Sequence, residues 1–137
     1  MKTLYTAHAT ATGGREGRAE TNDGQLSVTL SRPGGNKPGT NPEQLFACGY
    51  AACFGGALDF VAKQQKLDAT KATIECAVSI GPRESVGFGL AVKLKIIDKS
   101  LPQAQLTALA NEAHEKICPY SNATRNNVDV QLEVVGG

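Results

Sequence analysis

Asn41-Pro42-Glu43-Gln44-Leu45-Phe46-Ala47-Cys48-Gly49-Tyr50-Ala51-Ala52-Cys53-Phe54-Gly55-Gly56-Ala57-Leu58 opens with the chemistry of a helix start and continues as an almost wholly apolar run. Asn41 suits the N-cap, Pro42 suits the first helical position, and Gln44 stands three residues after the cap to complete a capping box. The spacing predicts a helix from here to about Gln65, apolar nearly all round until Asp59 and amphipathic after it. A helix of that kind needs protein around its first half, which would enclose Cys53. The run is short, carries Gly49, Gly55 and Gly56, and ends on Asp59, so a buried core helix is the reading and a membrane span is not.

Upstream, the odd positions Thr3, Tyr5, Ala7, Ala9 and Ala11 are apolar or small and the even ones mostly polar, which predicts a strand ending at Gly13-Gly14. Leu26, Val28 and Leu30 alternate with Ser27 and Thr29 after an Asn22-Asp23-Gly24 turn signal, so residues 15–21 read as the partner strand of a hairpin. Residues 31–40 hold Pro33, Gly34, Gly35, Pro38 and Gly39 and read as a loop.

Downstream, Ala72, Ile74, Cys76, Val78 and Ile80 share one apolar face, and Phe88, Leu90, Val92, Leu94 and Ile96 repeat it with Lys93 and Lys95 facing away. Pro102 opens a second helix with an apolar stripe of Leu106, Leu109, Ala110, Ala113 and Ile117, and Pro119 marks its end. Val128, Val130, Leu132 and Val134 form a last strand. The order βββ-α-ββ-α-β predicts an α+β fold, one domain over residues 1–137, with helices against antiparallel sheets. Burying the first helix fully calls for a second subunit.

The chain has 137 residues, 41% of them hydrophobic, and 14 basic residues scattered singly against 13 acidic ones. No basic stripe points to nucleic acid or an anionic membrane. Residues 1–12 carry one lysine and no continuous apolar segment, so they do not read as a secretory signal, and the expectation is a cytoplasmic protein. There the four cysteines would not make a structural disulfide framework.

Cys76 sits on a strand face and reads as a small hydrophobe. Cys48 is five residues before Cys53, about 140° away around a helix, so the two are not a CxxC pair and Cys48 reads as packing. Cys53, inside the apolar run, and Cys118, directly before Pro119, stand apart from them. No metal or cofactor site is read, since His8 and His114 are isolated. A hydrolytic Cys53–His114 pair is disfavoured because His114 stands beside Glu112 and Glu115 on a polar flank, as a solvated histidine would. Redox chemistry at Cys53 or an inert core thiol remain. A buried thiol has a raised pKa and needs a cation to react. Arg15 or Arg18 could supply it, and Glu43 in the first helical turn could hold the arginine by a bidentate pair.

The segments Ala11-Thr12-Gly13-Gly14-Arg15-Glu16-Gly17, Gly39-Thr40-Asn41-Pro42-Glu43-Gln44-Leu45-Phe46-Ala47, Gly49-Tyr50-Ala51-Ala52-Cys53-Phe54 and Cys118-Pro119-Tyr120-Ser121-Asn122-Ala123-Thr124-Arg125 resemble the organic hydroperoxide resistance (Ohr) branch of the OsmC/Ohr family. Four separated motifs agree in order over nearly the whole chain. The resemblance implies an intertwined homodimer with long central helices between sheets and an active site at each end of the interface. It further implies Cys53 as peroxidatic thiol, Cys118 as resolving thiol, Arg15 as the cation at the thiolate and Glu43 as the carboxylate that positions it. The implied reaction reduces an organic hydroperoxide, with dihydrolipoamide or a lipoylated protein as reductant. Cys118, read as the end of a helix, would meet a partial negative charge there and be better placed to resolve than to attack. Cys48 and Cys76 lie outside the family pattern, and Glu16 stands where the motif often has Asp. An OsmC-type peroxidase of broader specificity and a non-enzymatic thiol sensor are the alternatives.

Overall fold

The computed structural model describes residues 1–137, which divide into two compact units, Met1–Leu45 and Phe46–Gly137. In the first, strands β1 (Ala9–Thr12), β2 (Arg18–Thr21) and β3 (Ser27–Thr29) form an antiparallel sheet in the order β1-β2-β3. Ala19 is opposite Ala11 on one side and Val28 on the other. β1 is shorter than the alternation predicts. Met1, Leu4 and Tyr5 are exposed and unpaired in this chain, because alternation makes a strand only where a neighbour takes up its backbone.

The connection from β1 to β2 is a 3-10 turn, Gly14–Glu16, entered through Gly13 at φ 82° and Gly14 at φ 58°. A side chain at Gly17 would collide with the Thr12 carbonyl, so the turn closes only on glycine. Residues 31–40 form the expected loop, returned to the sheet by a bridge between Leu30 and Thr40. Asn41 then caps helix α1 (Pro42–Gln64): its Oδ1 accepts from the Gln44 N–H at 2.8 Å. The Gln44 side chain accepts from the Thr40 hydroxyl at 2.6 Å rather than closing the box on Asn41.

In the second unit, β4 (Thr73–Pro82) and β5 (Phe88–Asp98) pair antiparallel in the register that the apolar alternation implies, Cys76 opposite Leu94 and Val78 opposite Val92. β6 (Asp129–Gly136) lies on the far side of β5 and runs parallel to it. The expectation of purely antiparallel sheets is corrected here. Period-2 alternation is the same in either direction, and the helical connection between β5 and β6 supplies the crossover that a parallel pair needs.

Tyr50, Phe54, Leu58 and Val61 form the fully buried stripe of α1, joined in one core with Val92, Leu94 and Ile96 of β5. Each such side chain contributes roughly 1.5–3 kcal/mol by leaving water. By length and composition α1 could cross a membrane, yet this stripe is core. The rest of the first half is less enclosed than the sequence suggests: Cys48, Ala52 and Gly56 form an exposed stripe at four-residue spacing, continued by Phe60 beyond it, and Cys53 is only half-buried.

The second helix is also divided. α2 (Gln103–Glu112) ends in a wide π turn, Ala113–Ile117, and Pro119 starts a separate short helix, α3 (Pro119–Thr124). Proline ends one helix and equally suits the first position of the next, and Pro119 does both.

α1 terminates at Lys66, which has φ 58°, while Leu67 N–H reaches back to Ala62 O at 2.8 Å and Lys66 N–H to Lys63 O at 3.1 Å. This double return is a glycine-type C-cap occupied by lysine. Lys66→Gly is expected to stabilise the protein by about 1 kcal/mol, read as a higher urea midpoint at equal protein concentration; an unchanged or lower midpoint would contradict it.

Candidate active site

Cys53 on α1 and Cys118 at the junction between the π turn and α3 bring their sulfurs to 3.6 Å, both as free thiols. Cys118 is completely buried and Cys53 half-buried. Burial pushes the Cys53 thiol above its ordinary pKa; the Tyr120 backbone N–H opposes this, and Cys118 reinforces it. None of these influences is a cation.

Cys118 is the N-cap of α3, with its sulfur accepting from the Ser121 N–H at 3.5 Å. Cys118 also closes the π turn, its N–H on Ala113 O at 2.8 Å, so the helix end expected from the sequence is present and a helix start is added to it. The donor side of a helix start favours a thiolate, whereas the carbonyl side would oppose one.

Around this junction lies a buried polar cluster. Ser121 Oγ is 2.9 Å from Tyr50 Oη and 2.8 Å from His114 Nδ1, and Tyr50 Oη is 3.1 Å from Thr124 Oγ1. Tyr50 and Ser121 are fully buried. His114 is therefore not a solvated histidine: burial first, and the Arg125 charge second, push its pKa down. Arg125 also donates to the His114 carbonyl at 2.7 Å. Phe46, Tyr50 and Tyr120 pack edge-on or tilted against one another at centroid distances of 5.6–5.9 Å. Gly49 makes room for this, since a Cβ there would lie 2.9 Å from Tyr120 Oη.

The other two candidates meet in the Met1–Leu45 unit. Arg15 Nη1 and Nη2 donate to the two Glu43 carboxylate oxygens at 2.9 and 2.6 Å, a planar fork on a carboxylate. The Arg15 hydrogen bonds hold the Glu43 carboxyl below its usual range, and the same contact raises Arg15. Arg18, the alternative arginine, instead donates to Thr29 and Ser27 hydroxyls within its sheet. Among the remaining thiols, Cys76 packs against the core, and Cys48 is exposed on α1 rather than packed.

Two thiols in contact beside a helix start, and an arginine forked onto a carboxylate, are the four candidates gathered as two pairs. The sequence model of the family described as OsmC-like protein matches residues 34–133. The chain belongs to the OsmC family. Within it, the chain is 53% identical over 136 residues to the organic hydroperoxide resistance protein of Xanthomonas axonopodis pv. citri, covering 96% of this chain and 94% of that one. It is 50% identical over 135 residues to the organic hydroperoxide resistance protein OhrB of Bacillus subtilis, covering 96% and 98%. The crystal structure of that OhrB superposes with a TM-score of 0.89 at 48% identity, covering 96% of this chain and 99% of the other. An organic hydroperoxide resistance protein from Elizabethkingia anophelis superposes at 0.92 with 43% identity over the full length of both. The α+β, OsmC/Ohr-like fold is thereby established.

The residues that sequence reasoning missed are Ser121, Tyr50 and His114. Ser121 and Tyr50 lie inside the family motifs, but a hydroxyl in an apolar or helical stretch carries no signal of its partner. The Glu43 pair has a definite pH signature. Its carboxyl is lowered on folding, so the stability it contributes is fully present above the ordinary glutamate value of about 4.3 and is lost as pH falls through the lower folded value. Glu43→Gln is expected to remove this slope from stability measured between neutral and acid pH; an unchanged slope would show the pair is not formed in solution.

Proposed function

We propose that this protein is a thiol-dependent peroxidase that reduces organic hydroperoxides to alcohols through Cys53 and Cys118, with a lipoyl dithiol, free as dihydrolipoamide or carried on a protein, as reductant. The 3.6 Å approach of the two sulfurs carries the reading, because an oxidised Cys53 would already be in contact with the thiol that resolves it. The names of the relatives support the substrate class. Cys53, the more accessible thiol, attacks the distal oxygen of ROOH. The O–O bond breaks, the alkoxide leaves and takes a proton, and Cys53 holds the transferred oxygen as a sulfenic acid. Cys118 displaces that oxygen as water and closes the disulfide, which the dithiol then reduces. Thiol pools of the cytoplasm keep such a pair reduced at rest, and we place the protein there.

A Cys53 thiol raised by burial needs a cation, and Arg15 oriented by Glu43 is the one we assign. On α1, Glu43 precedes Cys53 by ten residues, a helical rise of about 15 Å. We therefore infer a homodimer in which residues 1–137 act as one OsmC/Ohr-like domain and each Cys53 is served by the Arg15–Glu43 pair of the second copy. The exposed stripe of Cys48, Ala52, Gly56 and Phe60 supports a helix with a partner still to come.

A dithiol-coupled assay with cumene hydroperoxide tests both parts. Cys53→Ser is expected to abolish turnover, Cys118→Ser to stop after one alcohol per site, and Arg15→Ala to lose on the order of a hundredfold. Co-expressing Arg15→Ala with Cys53→Ser chains should restore one active site per mixed dimer. Turnover surviving in Cys53→Ser would sink the peroxidase reading, and oxidation without turnover would point to a sensor. Mixed dimers without recovery would show that each site is built from one chain.

A further inference from the structure

The hydroxyl cluster beside Cys118 has a single consistent direction of donation. Thr124 Oγ1 donates to the Ser121 carbonyl at 3.2 Å, so its lone pair is what Tyr50 Oη–H meets. Tyr50 Oη then accepts from Ser121 Oγ–H, which leaves Ser121 Oγ as acceptor for His114 Nδ1–H. A neutral histidine satisfies this, with the proton on Nδ1, and burial favours the neutral form. The chain from His114 through Ser121, Tyr50 and Thr124 returns to Ser121, gripping that residue by its hydroxyl and by its carbonyl. The third polar group of Ser121, its N–H, is the one directed at Cys118 Sγ.

We propose that Ser121 is a positioning residue for the reductive half of the cycle: anchored through Tyr50, Thr124 and His114, it holds its N–H on Cys118 Sγ, where it receives the charge when the dithiol attacks Cys53 and Cys118 departs as the thiolate. The inference rests on the Cys53–Cys118 disulfide of the proposed function. A thiolate must approach in line with the S–S bond, from behind the sulfur that it attacks. Behind fully buried Cys118 lies the core, whereas Cys53 is half-exposed. The sulfur that leaves takes on negative charge, and the Ser121 N–H meets it on Cys118 as the Tyr120 N–H does on Cys53, so access sets the direction and the Ser121 N–H receives the charge that results.

In atoms, one reductant sulfur bonds to Cys53 as the Cys53–Cys118 bond breaks, and Cys118 takes the electron pair and later a proton. The second reductant thiolate then attacks its own partner sulfur on Cys53, which expels the Cys53 thiolate and closes the cyclic disulfide of the reductant. Two electrons pass from the dithiol to the protein.

Whole protein oxidised with diamide and exposed briefly to 2-mercaptoethanol, then acid-quenched and peptide-mapped, is expected to carry the adduct on Cys53; an adduct on Cys118 would overturn the direction of attack. Ser121→Ala is expected to slow reduction by dihydrolipoamide roughly tenfold while leaving single-turnover oxidation of Cys53 by an alkyl hydroperoxide unchanged. In a Cys53→Ala background it should also raise the pH at which the ultraviolet thiolate absorbance of Cys118 appears. Tyr50→Phe keeps the ring in the core and should show the same split in weaker form, which covers the case of an unfolded Ser121→Ala. Equal slowing of both half-reactions, with no change in the Cys118 titration, would reduce Ser121 to a packing residue. Failure of peroxide to oxidise Cys53 would sink the peroxidase reading alone, because diamide makes the disulfide independently.

Discussion

Tyr50, Phe54, Leu58 and Val61 must all leave water along one stripe of α1, and β5 provides the surface that receives them. With the stripe turned inward, Cys53 falls on its flank, half-buried, where Cys118 meets it at 3.6 Å. A rotation of the helix by one residue would carry that thiol through about 100° and part the two sulfurs. Tyr50 belongs both to the apolar stripe and to the hydroxyl cluster, so the packing of α1 and the placement of α3 are one constraint.

Each of the two thiols meets a backbone N–H, and they differ in access. Burial opposes charge on half-buried Cys53 and the Tyr120 N–H offsets it, while fully buried Cys118 caps a helix start and receives the Ser121 N–H. Arg15 and Glu43 satisfy one another in a forked ion pair whose geometry does not depend on any thiol. The carboxylate keeps the guanidinium oriented, and an oriented guanidinium is suited to a flat or two-pronged acceptor.

Much of the α1 and β4–β5 architecture was legible in the chain. Asn41 and Pro42 mark the helix start within a residue, and the apolar alternation from Thr73 to Asp98 yields the observed pairing. β6 was legible as a strand but not as a parallel one, since alternation carries no direction. The π turn and α3 were hidden behind Pro119, whose chemistry fits the end of one helix as well as the start of another. His114 read as solvated from its acidic neighbours in sequence, whereas the π turn carries its ring inward to Ser121.

The amino-acid sequence by itself determined the helix that holds Cys53, the strands flanking it and the four motifs that mark the family, because local backbone preferences and hydrophobic periodicity are written residue by residue. Which groups touch was decided only by the tertiary structure. The contact of Cys53 with Cys118, the fork of Arg15 on Glu43 and the grip on Ser121 join residues 65, 28 and 71 positions apart. Such distances along the chain are bridged by packing, and packing depends on every buried side chain at once.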